Sequence, residues 1–60
     1  MRLKEARQNM NFTQEMLAQK VGVTRQTISM IETGVNLPSI KLAKKLGKVL
    51  KVKWVSFFID

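Results

Sequence analysis

The stretch from Thr13 to Gly34, TQEMLAQKVGVTRQTISMIETG, constrains this chain more than any other. Thr13 is placed to cap a short helix with Gln14 and Glu15 in its first turn and Leu17 and Ala18 on its inner side. Gly22 ends that helix, and Val21 and Val23 close the corner on either side of it. Thr24 caps a second helix at once; Ile28 and Ile31 fall on one face of it, and Gly34 supplies the left-handed residue that stops it. Arg25, Gln26, Ser29 and Met30 are left over on the outward face. They are hydrogen-bonding or flexible apolar side chains, so this face is the candidate reading surface.

Two short helices about so tight a turn make a helix-turn-helix, and the other segments read as its supports. Leu3, Ala6, Arg7 and Met10 recur every three or four residues, which predicts an amphipathic first helix with Arg2, Lys4, Glu5 and Gln8 toward water. Arg7 lies at the edge of that apolar stripe, and Glu32, at the end of the second motif helix, is its expected ion-pair partner. Phe12, just before the Thr13 cap, is expected to turn inward as a hydrophobic staple. After Gly34 the loop VNLPS is expected to drop Leu37 into the core. Ser39 then caps a helix from Ile40 to about Leu50, with Ala43, Leu46, Gly47 and Leu50 inside. A glycine within a helix costs roughly 1 kcal/mol against alanine, so Gly47 marks a close approach by another segment. Lys41, Lys44, Lys45, Lys48 and Lys51 take the outer positions. They read as a solvated face, with Lys41, nearest the helix start, placed to reach a phosphate.

The tail, VKWVSFFID, is apolar, and Trp54, Phe57 and Phe58 are spaced to meet on a helical turn. With Val55 and Ile59 they exceed what one small core encloses, so part of the cluster is expected to be a contact surface, most simply for self-association.

With 60 residues the chain makes a single domain (1–60), one that buries only about 60% of its unfolded surface. It contains no cysteine and no histidine, and its four acidic residues are not paired on a helix face. No metal, cofactor or catalytic residue is therefore expected, and an enzyme is the least favoured class. Neither a leader peptide nor a membrane span is read in the sequence, which places it in the cytoplasm. The formal charge of +7 is spread over both halves, and with the motif it favours a polyanionic partner. A rival reading lays Ile40 to Ile59 on an anionic membrane surface, but the same residues are needed to close the bundle.

LKEAR in the first helix, the whole of TQEMLAQKVGVTRQTISMIETG, and Pro38–Ser39 ahead of a helix that keeps its apolar spacing through Val52 together resemble the phage-repressor and Cro type of helix-turn-helix proteins, the XRE family. The resemblance covers nearly the whole chain. It implies an all-α, compact five-helix domain that binds double-stranded DNA, usually as a homodimer. By position it implies DNA-backbone contacts at Gln14, Thr24, Thr27 and Asn36, and base contacts at Arg25, Gln26 and Met30 with Ser29 beside them. It also implies the Arg7–Glu32 ion pair. Lys51 and Lys53 stand where many relatives carry a glycine and a serine-like cap, so a differently started last helix is expected. The apolar surface there, Trp54, Val55 and Phe58, is the expected dimer contact. A protein antagonist docking on the same surface, as in antitoxin or antirepressor circuits, is the alternative use.

Overall fold

The computed structural model describes residues 2–58. Four α-helices follow in order: α1 (Leu3–Asn9), α2 (Gln14–Val21), α3 (Arg25–Glu32) and α4 (Ile40–Leu50). A 3-10 turn, Trp54–Phe57, stands in the place of the fifth helix.

Three of the four helix starts have a local cause, and α1 begins without a side-chain cap. The hydroxyl oxygens of Thr13, Thr24 and Ser39 accept from the amides of Met16, Thr27 and Leu42, so α2, α3 and α4 all begin with a side-chain cap. The stops are equally local. Gly22 (φ 77°) and Gly34 (φ 82°) take the left-handed conformation that glycine adopts without steric cost. Two other residues share that region: Asn11 between α1 and α2, and Lys51 after α4, both at φ 59°. Asparagine tolerates it; for lysine the Cβ costs about 1 kcal/mol.

One core joins the helices. Leu17, Ile28 and Leu46 are wholly enclosed, and Leu3, Ala6, Ala18, Val21 and Leu50 surround them. Met10, Phe12, Val23, Ile31, Val52 and Phe57 pack on its edge. Phe12 thus lies in the staple position beside Thr13, as expected. α2 packs on α3 and α4, while α1 rests on α3 and the terminal turn on α4.

The Arg7–Glu32 pair forms across this core. Arg7 Nε donates to Glu32 Oε2 at 2.6 Å, and the two side chains are only 11% and 4% exposed. The Arg7 guanidinium also donates to Glu32 Oε1 at 3.3 Å and to the Phe12 carbonyl at 2.7 Å. One cation therefore ties α1 to the end of α3 and to the start of α2.

Gly47 marks the expected close approach. A Cβ there would sit 2.8 Å from the Val52 carbonyl oxygen and 3.0 Å from Trp54 Cβ, so the chain folds back directly over α4. Lys53 offers no side-chain cap to the turn that follows; the Ser56 hydroxyl donates back to the Lys53 carbonyl at 2.6 Å instead. Four residues without a cap sustain only a 3-10 turn.

Leu37 corrects the sequence expectation. It is 75% exposed, and Pro38 is the buried residue. The reason is the staple geometry that also governs Phe12: the residue immediately before the cap turns inward, and before Ser39 that residue is Pro38. Val35 in the loop and Ile40 at the start of α4 are exposed as well, so the loop and the helix start present an apolar surface to solvent.

Candidate nucleic-acid interface

The surface of α3 divides by helical spacing. Ile28 and Ile31 turn to the core, while Arg25 with Ser29 and Gln26 with Met30 form adjacent i, i+4 pairs on the outer side. Arg25 and Gln26 are exposed; Ser29 and Met30 are partly so. All four expected base-contacting residues share one outward face, and none is used to fill the core.

The supporting residues gather around it. Gln14, the first residue of α2, is half-buried: its Nε2 donates to Glu32 Oε1 at 3.1 Å and its Oε1 accepts from Arg25 at 3.3 Å. The amide is thereby oriented, nitrogen toward the ion pair and oxygen toward the outer face of α3. One Nε2 hydrogen stays uncommitted. A polar chain consequently runs Arg7–Glu32–Gln14–Arg25, from the first helix to the outer face of the third. Sequence reasoning found the four residues and the Arg7–Glu32 link, but not the bonds that join Gln14 to Glu32 and to Arg25. The signal was the acidic residue already assigned to Arg7, because a carboxylate has lone pairs for more donors than one guanidinium.

Thr24 and Thr27 lie together at the start of α3. The Thr24 hydroxyl caps the Thr27 amide at 3.2 Å and the two hydroxyls are 3.0 Å apart. The first amides of α3 remain at this end, and a helix start favours anions. At the other end the Met30 carbonyl accepts from the amides of Val35 (2.9 Å) and Asn36 (3.3 Å) and from the Thr33 hydroxyl (3.2 Å). Asn36 Nδ2 lies 3.7 Å from Met30 Sδ, so the loop is folded against the outer face of α3. Lys41 is exposed in the first turn of α4, and no hydrogen bond or ion pair joins it to the others.

In the tail, Val55 (44%) and Phe58 (39%) are exposed, and Trp54 is half-buried with its ring edge-to-face on Phe58, centroids 6.2 Å apart. Lys44 Nζ lies 5.5 Å over the Trp54 ring. Phe57 goes inward, so the cluster splits between core and surface. Ile59 lies outside the described residues. No helix among those residues is long and apolar enough to cross a membrane.

An all-helical domain that carries a helix-turn-helix, with a polar outward face on the second motif helix, is built as a DNA-binding module. The helix-turn-helix family profile matches residues 3–57, and the chain belongs to that family, in its XRE branch. An uncharacterized HTH-type transcriptional regulator of Methanocaldococcus jannaschii is 52% identical over 58 residues, covering 97% of this chain and 88% of the relative. A second protein so named, from Archaeoglobus fulgidus, is 48% identical over 58 residues, covering 97% and 82%. A third, YgzD of Bacillus subtilis, is 42% identical over 57 residues, covering 95% and 86%. No solved structure gives a significant match.

Proposed function

We propose that this protein is a sequence-specific, DNA-binding transcriptional regulator of the repressor kind, acting on cytoplasmic DNA as a homodimer with α3 in the major groove. The observation that carries this reading is the outward face of α3. Arg25, Gln26, Ser29 and Met30 have no part in the core, yet Arg25 is held through its guanidinium by an oriented Gln14.

The chemistry follows from the donors present. Arg25 gives one N–H to Gln14, which leaves hydrogens on both terminal nitrogens for the N7 and O6 of a guanine. Gln26 can donate to and accept from adenine, and Met30 can pack on a thymine methyl. Each good bidentate contact contributes about 1–3 kcal/mol of discrimination. The free Nε2 hydrogen of Gln14, the hydroxyls of Thr24 and Thr27, the Asn36 amide and Lys41 then hold phosphates, which sets register without reading sequence. A twofold contact through Trp54, Val55 and Phe58 places a second α3 about 34 Å away, one turn of DNA.

Selection of binding sites from random duplexes tests this, because it returns half-site, spacing and symmetry together. A palindromic site is expected. Arg25→Ala and Gln26→Ala should then reduce preference for the selected site over random DNA, while Lys41→Ala, which removes a phosphate contact alone, weakens both alike. Unchanged specificity in the two reading-face variants refutes the assignment. A second reading, favoured by the exposed Val55 and Phe58, gives the tail to a foreign protein antagonist; a stable monomer in sedimentation supports that occupant over a second copy.

A further inference from the structure

The basic charge of this protein is not concentrated where α3 would meet DNA. Of the four expected base-contacting residues only Arg25 is cationic, whereas Lys41, Lys44, Lys45 and Lys48 all lie on the exposed side of α4. Ala43, Leu46, Gly47 and Leu50 are buried on the opposite side, so the lysines occupy one arc pointing away from the core. Lys51 and Lys53 continue the row past the helix end, and both are exposed. At the C-terminal end of α2, Lys20 faces Lys45 and Lys48 across a shallow groove that also includes Gln19 and Gly22.

A merely solvated helix face is ordinarily laced with acidic residues four positions from its lysines, because such pairs favour the helix and like-charge pairs oppose it. Here the sequence from Thr33 to Phe58 contains no aspartate or glutamate. Lys41–Lys45 and Lys44–Lys48 stack cation on cation at i, i+4, and Lys41 stands in a first turn where the helix dipole disfavours positive charge. Among the described residues none of these lysines is in an ion pair. Lys44 over Trp54 and Lys20 over Phe12 find only aromatic rings, at 5.5 and 5.0 Å. Apart from Lys48, in the last turn where the helix dipole favours a cation, the face works against the stability of its own helix, an arrangement that an anionic partner touching several lysines at once would offset.

We propose that the outer face of α4, centred on Lys44, Lys45 and Lys48, is a second nucleic-acid surface that grips the phosphate backbone of a separate duplex segment, so that the protein holds two segments together. A regular row of unpaired cations complements a polyphosphate backbone and reads no bases. The surface lies on a different element from α3 and works whether or not α3 selects a sequence.

Bead-bound 30-base-pair duplex of arbitrary sequence, incubated with the protein and a second, fluorescent duplex of the same length, tests the proposal. Wild-type protein should capture the second duplex, and the triple variant Lys44→Gln/Lys45→Gln/Lys48→Gln should lose that capture at least tenfold while retaining affinity for a single duplex within about threefold. Capture should fall with salt, its log–log slope shallower by roughly 3 in the triple variant. Val55→Asp/Phe58→Asp should still capture, since bridging by a tail-mediated dimer is the competing route. Absence of capture by wild type, capture surviving in the triple variant, or capture lost only in the tail variant each overturns the proposal. Equal loss of single-duplex binding in the triple variant overturns it too, because the lysines then serve the duplex that α3 contacts. Tight binding of poly-glutamate with no duplex capture assigns the face to an acidic protein instead. The substitutions are at exposed positions, and an undiminished melting temperature confirms the fold. Failure of base selection by α3 leaves every arm readable, because the duplexes carry no chosen site.

Discussion

Replacing Arg7 by methionine keeps the apolar stem and removes the cation that joins three helices. Glu32, whose side chain is 4% exposed, would be left with one neutral donor, Gln14 Nε2 at 3.1 Å, and the Phe12 carbonyl would lose its 2.7 Å bond to the guanidinium. Breaking one partner of a buried pair costs about 3–5 kcal/mol, because the other charge stays behind without compensation. The exposure of the Arg7 side chain, 11%, admits some water and places the expected cost near the lower bound, about 3 kcal/mol. A chain of 60 residues at roughly 0.05–0.15 kcal/mol each has a total stability of about 3–9 kcal/mol, so the variant loses between a third and all of it. Urea unfolding followed by the fluorescence of Trp54, the single tryptophan, reads this directly. With a slope near 1 kcal/mol per molar, the midpoint should move down by about 3 M, or the variant should be unfolded from the start. Arg7→Met/Glu32→Leu removes both charges and should recover most of the loss, a coupling of about 2 kcal/mol or more. A single-variant cost below about 1 kcal/mol, or a double variant as unstable as the sum of the singles, refutes the account of the pair as the tie between helices.

Other substitutions test neighbouring points. Gly47→Ala should destabilise by about 1–3 kcal/mol in thermal melts despite alanine's higher helix propensity, because the new Cβ falls 2.8 Å from the Val52 carbonyl. Lys51→Gly should raise stability by about 1 kcal/mol, since only the Cβ opposes φ 59° at that site; an unchanged melting temperature would show the strain to be absent. Leu37→Ser should shift the unfolding midpoint by no more than about 0.5 kcal/mol equivalent, whereas a buried leucine would lose several times that.

Much of the fold was legible because its signals are local. Thr13, Thr24 and Ser39 act on amides three residues away, and Gly22 and Gly34 act on their own backbone, so the starts of α2, α3 and α4 and the stops of α2 and α3 can be placed without tertiary knowledge. The Arg7–Glu32 pair was legible because a cation on an apolar stripe demands a partner, and four acidic residues leave few choices. Leu37 was misplaced by weighing hydrophobicity over position. Which of Leu37 and Pro38 turns inward depends on the distance to the Ser39 cap, and that rule favours the less apolar residue. The 3-10 form of the last turn lay beyond periodicity, because four residues are too few to display a period. The contact from Gln14 to Arg25 depends on the angle between α2 and α3, and no local pattern carries that angle.

The outer side of α3 differs from residue to residue in how firmly it is tethered. Among the described residues the side chains of Gln26 and Ser29 make no hydrogen bond with the scaffold, while Arg25 is roped through Gln14 and Glu32 to Arg7. Descendants of this chain can therefore rewrite positions 26 and 29 one mutation at a time with little penalty in folding, but a new residue at 25 calls for an adjustment at 14. A lineage acquiring new binding sites should show drift at the first two and paired change at the second.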